Sequence, residues 1–207
     1  MAADSIPSKA VRSEFADVVT VILFAAASAI VVIFTTAMRL VDMFREQGFA
    51  WKLPIDEMPI EATLGSGAHS VEGYVSEALV VSPNVNTTSM IAGGASAVAW
   101  AVTALIVIGI VVFVAWSFLR QRFFVPATAR AISVLGWALV LGGVTVLACN
   151  TMARNGVLAA IGGTEIPAHP TEFWGFAPVW ATGIAVGLIG HAFRRGIRLQ
   201  RDTEGLV

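Results

Sequence analysis

The chain has 207 residues, of which 57% are hydrophobic and only 13% are charged. Soluble domains usually carry about 25% charged residues, so this composition argues against a soluble globular domain and favours a membrane protein. The net charge of −1 at pH 7 and the absence of a basic patch argue against direct binding of nucleic acid. Its single cysteine, Cys149, lies in an apolar run and cannot form a disulfide within the chain.

Four apolar segments are long enough to cross a bilayer, whose hydrocarbon core of about 30 Å requires about 20 residues of helix. They cover residues 18–41, 91–119, 131–152 and 173–193, and none has Asp, Glu or Lys in its middle. In the absence of water, backbone polar groups are satisfied within each helix. The sequence therefore predicts an all-α membrane fold, a four-helix transmembrane bundle that forms one domain over residues 1–207.

The distribution of basic residues predicts the orientation of this bundle. With the N-terminus inside, the inner segments hold nine of the 13 basic residues, and the short loop over residues 120–130 has three arginines and no acidic residue. Basic residues concentrate in short cytoplasmic loops, so both termini are expected in the cytoplasm. Of the basic residues only Lys9 and Lys52 are lysines. This arginine bias, with abundant Ala, Val and Gly, suggests a bacterial protein of the cytoplasmic membrane.

Residues 42–90 form the long extracytoplasmic loop of this topology, and the loop is acidic. Partial alternation of apolar and polar residues over 60–64 and 71–75, followed by the apolar run 78–81, predicts short half-buried strands. Two or three short strands form no independent core. We therefore expect a small β-rich sheet resting on the outer helix ends. The second outer loop, residues 153–172, contains glycine and proline and is expected to be irregular.

Small residues in spans three and four predict helix packing. Gly183 and Gly187 form a G-x-x-x-G pattern in span four, and Gly142 and Gly143 are adjacent in span three. Such residues allow helices to approach closely. We interpret them as packing positions inside the bundle, with formation of a homo-oligomer through span four as the alternative.

Few polar residues have the spacing that is typical of a catalytic or metal-binding site. His69 and His169 lie in the outer loops 100 positions apart, whereas zinc ligands usually show tight spacing. We interpret both as surface residues, His191 as an interfacial or capping residue, and Asn150 as a hydrogen-bonding residue between helices. Arg39 lies at the outer end of span one, where its side chain is expected to snorkel towards the headgroups. We expect no enzymatic activity, no cofactor and no metal ion.

The segment after span four is basic, with Arg194, Arg195, Arg198 and Arg201. Apolar residues recur within 193–199, which predicts that the helix continues out of the membrane. Anionic lipid attracts each basic residue near its surface by about 1 kcal/mol. The segment is expected to anchor the topology, or alternatively to dock a cytoplasmic protein.

Two stretches resemble a bacterial family of four-helix membrane proteins catalogued as domain of unknown function 2975 (DUF2975). They are residues 122–137, RFFVPATARAISVLGW, and residues 191–207, HAFRRGIRLQRDTEGLV, within a similarity that covers 92–207. Gly205 stands where members of the family have a polar residue, and the final threonine of their tail is missing here. The resemblance implies no established activity. Some members are paired with small helix-turn-helix regulators, which implies a signalling or regulatory role.

These observations favour a non-enzymatic interaction, sensory or accessory protein. Its expected partners are the lipid bilayer and a protein bound at the cytoplasmic tail or the outer loop. A small transporter or channel subunit is the alternative. A membrane enzyme that uses His69 or His169 with nearby carboxylates is a weaker one.

Overall fold

The computed structural model describes residues 8–63, 70–120, 125–162 and 171–204. Its four long helices are α1 (Ser8–Met43), α2 (Thr87–Leu119), α3 (Pro126–Ala160) and α4 (Thr171–Glu204). Each contains a stretch long and apolar enough to cross a membrane, and only 11–22% of the most apolar window of each is buried inside the protein. The prediction of four helices of membrane-spanning length is confirmed, and their outward-facing apolar surfaces suit contact with lipid.

The helices pack in chain order, each antiparallel to the next. Extensive interfaces join α1 to α2, α2 to α3 and α3 to α4, whereas α1 and α4 form no packed interface over the ranges described. Among the described residues, the four helices therefore pack as consecutive pairs, and the space between α1 and α4 is left open. A β-sheet contacts the C-terminal parts of α1 and α3, and we call this the hairpin end. The start of α1 and the end of α4 lie at the opposite, far end.

A three-stranded antiparallel sheet lies between α1 and α2, which confirms the predicted small sheet. Its strands β1 (Phe44–Arg45), β2 (Gly48–Thr63) and β3 (Ser70–Ser82) are arranged in the order β1-β2-β3. Gly48 follows the turn after β1 with φ of 132°, a conformation that favours glycine. We call the long pair β2 and β3 the hairpin.

The strands are longer than the sequence pattern predicts. β2 begins at Gly48 and not near residue 60, and the segments 71–75 and 78–81 belong to one continuous strand. Pro54 and the charges after it interrupt the alternation in β2. The pairing register shifts between Pro54 and Met58, an irregularity of the kind that accommodates a proline within a strand.

The helices also extend beyond the predicted spans. Residues 153–160, predicted to belong to an irregular loop, form the last turns of α3. Ala153 and Val157, one turn apart, are completely buried there, and their packing against the hairpin explains why the helix continues past its apolar span. The predicted extension beyond residue 193 is confirmed, since α4 continues to Glu204.

The largest buried cluster lies at the hairpin end. Phe49 and Leu53 of β2 are each 1% exposed and pack with Met43 of α1 and Val157 of α3. At the start of α2, the side-chain oxygen of Asn86 accepts a hydrogen bond of 2.8 Å from the Ser89 N–H and caps the helix. Met90 of α2 also packs against the buried cluster, so the base of the hairpin contacts three helices.

Candidate functional site

A cleft of about 860 Å³ lies at the hairpin end. Its walls come from the last turns of α1, the beginning of α4 and the sheet, with one residue from α3. The cleft forms where α1 and α4 do not pack against each other. Ala50, Trp51, Lys52 and Leu79 line it from the sheet. Trp51 also belongs to the buried cluster, so the cleft adjoins that cluster.

The rim of the cleft is positively charged. It contains Arg39, Arg45 and Lys52 together with a single carboxylate, Asp42. Arg45 is held locally, because its Nε donates a hydrogen bond of 3.0 Å to the Asp42 carbonyl and its guanidinium lies 3.9 Å from the Asp42 carboxylate. Within the described ranges, Arg39 and Lys52 have no ion-pair partner. The sequence predicts Arg39 at a helix end, but only the tertiary fold brings it to the same cleft as Lys52.

The cleft becomes apolar away from the sheet, where Phe34 is 63% exposed and Met38 48% exposed. Phe34 and Met38 line it along α1, and Phe176 lines it from α4. At about 1.5 Å of rise per residue, Phe34 lies about 13 Å along the helix from Met43. The Phe176 ring stacks against Trp180, with centroids 6.2 Å apart and planes at 27°. The cleft therefore combines a cationic rim with an aromatic and aliphatic interior.

Asn150 brings a polar group from α3 into this interior. Its side-chain oxygen is buried, and within the described ranges no donor reaches it. The hydrogen bond between helices that the sequence suggested is thus not formed by this oxygen. A buried acceptor without a partner costs about 1–3 kcal/mol, so this oxygen lowers the stability of the packing around Asn150.

No family model, curated protein or solved structure matches this chain. The resemblance to the family of unknown function therefore stays a prediction. In the structure, its two motifs include the beginning of α3 and the end of α4. Both lie at the far end, away from the cleft.

The predicted packing glycines of α4 lie at a crossing within the chain. A Cβ added to Gly183 would lie 2.9 Å from the carbonyl oxygen of Gly136 in α3, and one added to Gly136 would lie 2.8 Å from the nitrogen of Gly187. A Cβ on Gly187 itself would have nothing within 4 Å. A Cβ on Gly136 would also lie 2.7 Å from the Gly183 carbonyl oxygen, so Gly136 allows the backbones of α3 and α4 to approach closely, although no sequence pattern marks it.

The glycines of α3 face two different helices. A Cβ on Gly142 would collide with Thr103 of α2, and one on Gly143 would lie 2.8 Å from Nε1 of Trp180 in α4. Adjacent positions point in different directions around a helix. These two glycines therefore let α3 approach both of its neighbours.

Two of the three histidines, His69 and His169, lie outside the described residues. His191 is exposed on α4, and with its Nδ1 protonated it donates a hydrogen bond of 3.0 Å to the Gly187 carbonyl. In the ranges that the structure describes, no group of three His, Cys, Asp or Glu side chains is placed to bind a metal ion.

The far end carries exposed arginines on several helices. Arg194, Arg195 and Arg198 are exposed on α4, and Arg201 lies in the same helix. At the end of α2, the guanidinium of Arg120 lies 5.0 Å from the centre of the Trp116 ring. An arginine over an aromatic ring at a helix end suits a position at a membrane interface.

Proposed function

We propose that this chain is a non-enzymatic interaction protein of the bacterial cytoplasmic membrane, of a sensory or accessory kind. Its hairpin lies outside the cytoplasm and contacts a second protein, while the far end, with both chain termini, lies in the cytoplasm. The observation that carries the proposal is the hairpin itself, which is fixed at its base and exposed along its distal part.

The hairpin extends well beyond the base that is buried against the helices. β2 has 16 residues and β3 has 13, so at about 3.3 Å per residue the shorter strand extends about 40 Å. Beyond the buried base, Met58 is 58% exposed and Tyr74 is 64% exposed. Met58 pairs with Val75 and Tyr74 with Pro59, so Met58 and Tyr74 lie on opposite faces. A two-stranded ribbon is marginally stable alone, and contact with another surface would stabilise it.

The charge of the hairpin indicates what that surface would be. Glu57, Glu72 and Glu77 are exposed on its two strands. They favour a partner with a basic surface, which they would attract during association. Tyr74 supplies a large apolar area with a polar tip, a side chain enriched at protein interfaces.

The far-end arginines support the proposed orientation. Exposed basic side chains there lie at the C-cap of α2, near the start of α3 and near the end of α4: Arg120, Arg130, Arg194, Arg195 and Arg198. Positive charge close to helix ends is retained on the cytoplasmic side. The end of α4 is then available to lipid headgroups or to a cytoplasmic protein.

Photo-cross-linking in the native cell tests the role of the hairpin. A photoreactive residue at position 74 should give a discrete protein adduct, because the Tyr74 side chain lies on the exposed part. The matched control is position 141, since Leu141 is 58% exposed on the apolar surface of α3 and should give no discrete protein adduct. In a Glu72→Lys background the adduct from position 74 should fall several-fold. Adducts from neither position 74 nor position 58 would contradict the proposal.

A further inference from the structure

We propose that the cleft between α1 and α4 binds an anionic phospholipid that enters sideways from the bilayer. This inference goes beyond the interaction function and does not depend on a protein partner for the hairpin. It rests on the charge of the rim, the polarity gradient of the interior and the opening along the side of the bundle.

The rim favours a phosphate group. It contains three basic side chains and one acidic one, and the carboxylate of Asp42 is already engaged by Arg45. Arg39 and Lys52 therefore leave uncompensated positive charge within the part of the chain that the structure describes. Arginine binds phosphate oxygens through paired N–H donors, and lysine binds them as a compact charge.

The interior favours acyl chains. Phe34, Met38 and Phe176 form an apolar surface below the charged rim, as the glycerol and upper acyl region of a lipid requires. The volume of about 860 Å³ is within the range of about 300–1,000 Å³ that is typical of ligand pockets. Since α1 and α4 do not pack together, the acyl chains can continue from the cleft into the bilayer.

The net charge of the rim narrows the choice of head group. Three basic side chains against one carboxylate favour a lipid whose head group carries net negative charge. A phosphatidylglycerol head group carries such a charge on its phosphate and has no cation to offset it. The rim therefore favours phosphatidylglycerol-like lipids over phosphatidylcholine, whose choline cation leaves it with no net charge.

Native mass spectrometry of the purified full-length protein tests this proposal by titration with phosphatidylglycerol or phosphatidylcholine. Phosphatidylglycerol should bind at least tenfold more tightly. The double variant Arg39→Gln/Lys52→Gln should lose at least tenfold in affinity for it. The control Arg39→Lys/Lys52→Arg keeps both positive charges at the rim and should change the affinity less than threefold.

Three results would overturn the proposal: equal affinity for the two lipids, equal loss in the two double variants, or displacement of the lipid by millimolar inorganic phosphate. The last would identify a soluble anion as the ligand. Photoreactive phosphatidylglycerol added to the unaltered protein provides a test that needs no variant. Adducts should map to peptides that contain residues 34–52 or 175–176, and adducts confined to the far end would also overturn the assignment.

Discussion

Replacing Phe49 by alanine should weaken the attachment of the hairpin to the helices by about 3–5 kcal/mol, the usual cost of removing a buried phenyl ring. Phe49 is 1% exposed, and its ring stacks with Trp51 at 5.8 Å and meets Phe44 edge to face at 5.5 Å. A Cβ on Gly93 would lie 2.6 Å from the same ring. The ring therefore fills the space between the sheet and α2, and removing it leaves a cavity.

Limited trypsin digestion in nanodiscs measures this loss, because cleavage after Lys52 requires the base of the hairpin to open. Where opening is fast, the cleavage rate follows the population of the open form. A loss of about 3 kcal/mol corresponds to an acceleration of roughly 100-fold. The control Tyr74→Ala alters a side chain that is 64% exposed and should leave the rate within about twofold. Similar rates in the two variants would show that the hairpin is not anchored through Phe49.

Replacing Gly136 by alanine should destabilise the packing of α3 on α4 by about 1–3 kcal/mol, the usual cost of overpacking. The added methyl group would lie 2.7 Å from the Gly183 carbonyl oxygen and 2.8 Å from the Gly187 nitrogen. Both are backbone atoms, so the helices themselves would have to separate. Helices in lipid associate mainly through such close packing, and few other contacts can compensate.

Gly187→Ala is the matched control at the same crossing. Its methyl group would meet nothing within 4 Å, and alanine is favoured over glycine inside a helix by about 0.5–1 kcal/mol. The thermal unfolding midpoint in detergent micelles should therefore fall for Gly136→Ala and stay the same or rise for Gly187→Ala. Changes of the same sign and size would contradict this account of the crossing.

The sequence predicts the helices well because their main determinant is local. Runs of apolar residues long enough to cross a bilayer are visible without any knowledge of tertiary contacts. The predicted ends of the helices were less accurate, because an apolar run marks only the part of a helix that crosses the membrane. Arg154 ended the predicted third span, yet Ala153 and Val157 continue a buried face to the end of α3. Helical periodicity across Arg154 was the signal available for that extension.

The cleft was not predictable in the same way. Arg39, Lys52, Asn150 and Phe176 come from different elements, and only the tertiary fold brings them together. Each had a local interpretation, such as a snorkelling arginine or a hydrogen-bonding asparagine. Similarly, Gly136 is one of 19 glycines, and its importance depends on where α4 crosses α3. Composition indicates that small residues pack helices, but it does not indicate which of them lie at a crossing.

Cysteine accessibility tests the central claim, a bundle that crosses the membrane with its hairpin outside and its far end in the cytoplasm. In a Cys149→Ser background, single cysteines would replace Glu77 on the hairpin and Arg195 on α4, both of which are exposed. In spheroplasts, a membrane-impermeant maleimide should modify the cysteine at position 77 at once and the one at 195 only after permeabilisation. Modification of both before permeabilisation, or recovery of the protein in the soluble fraction, would contradict the account.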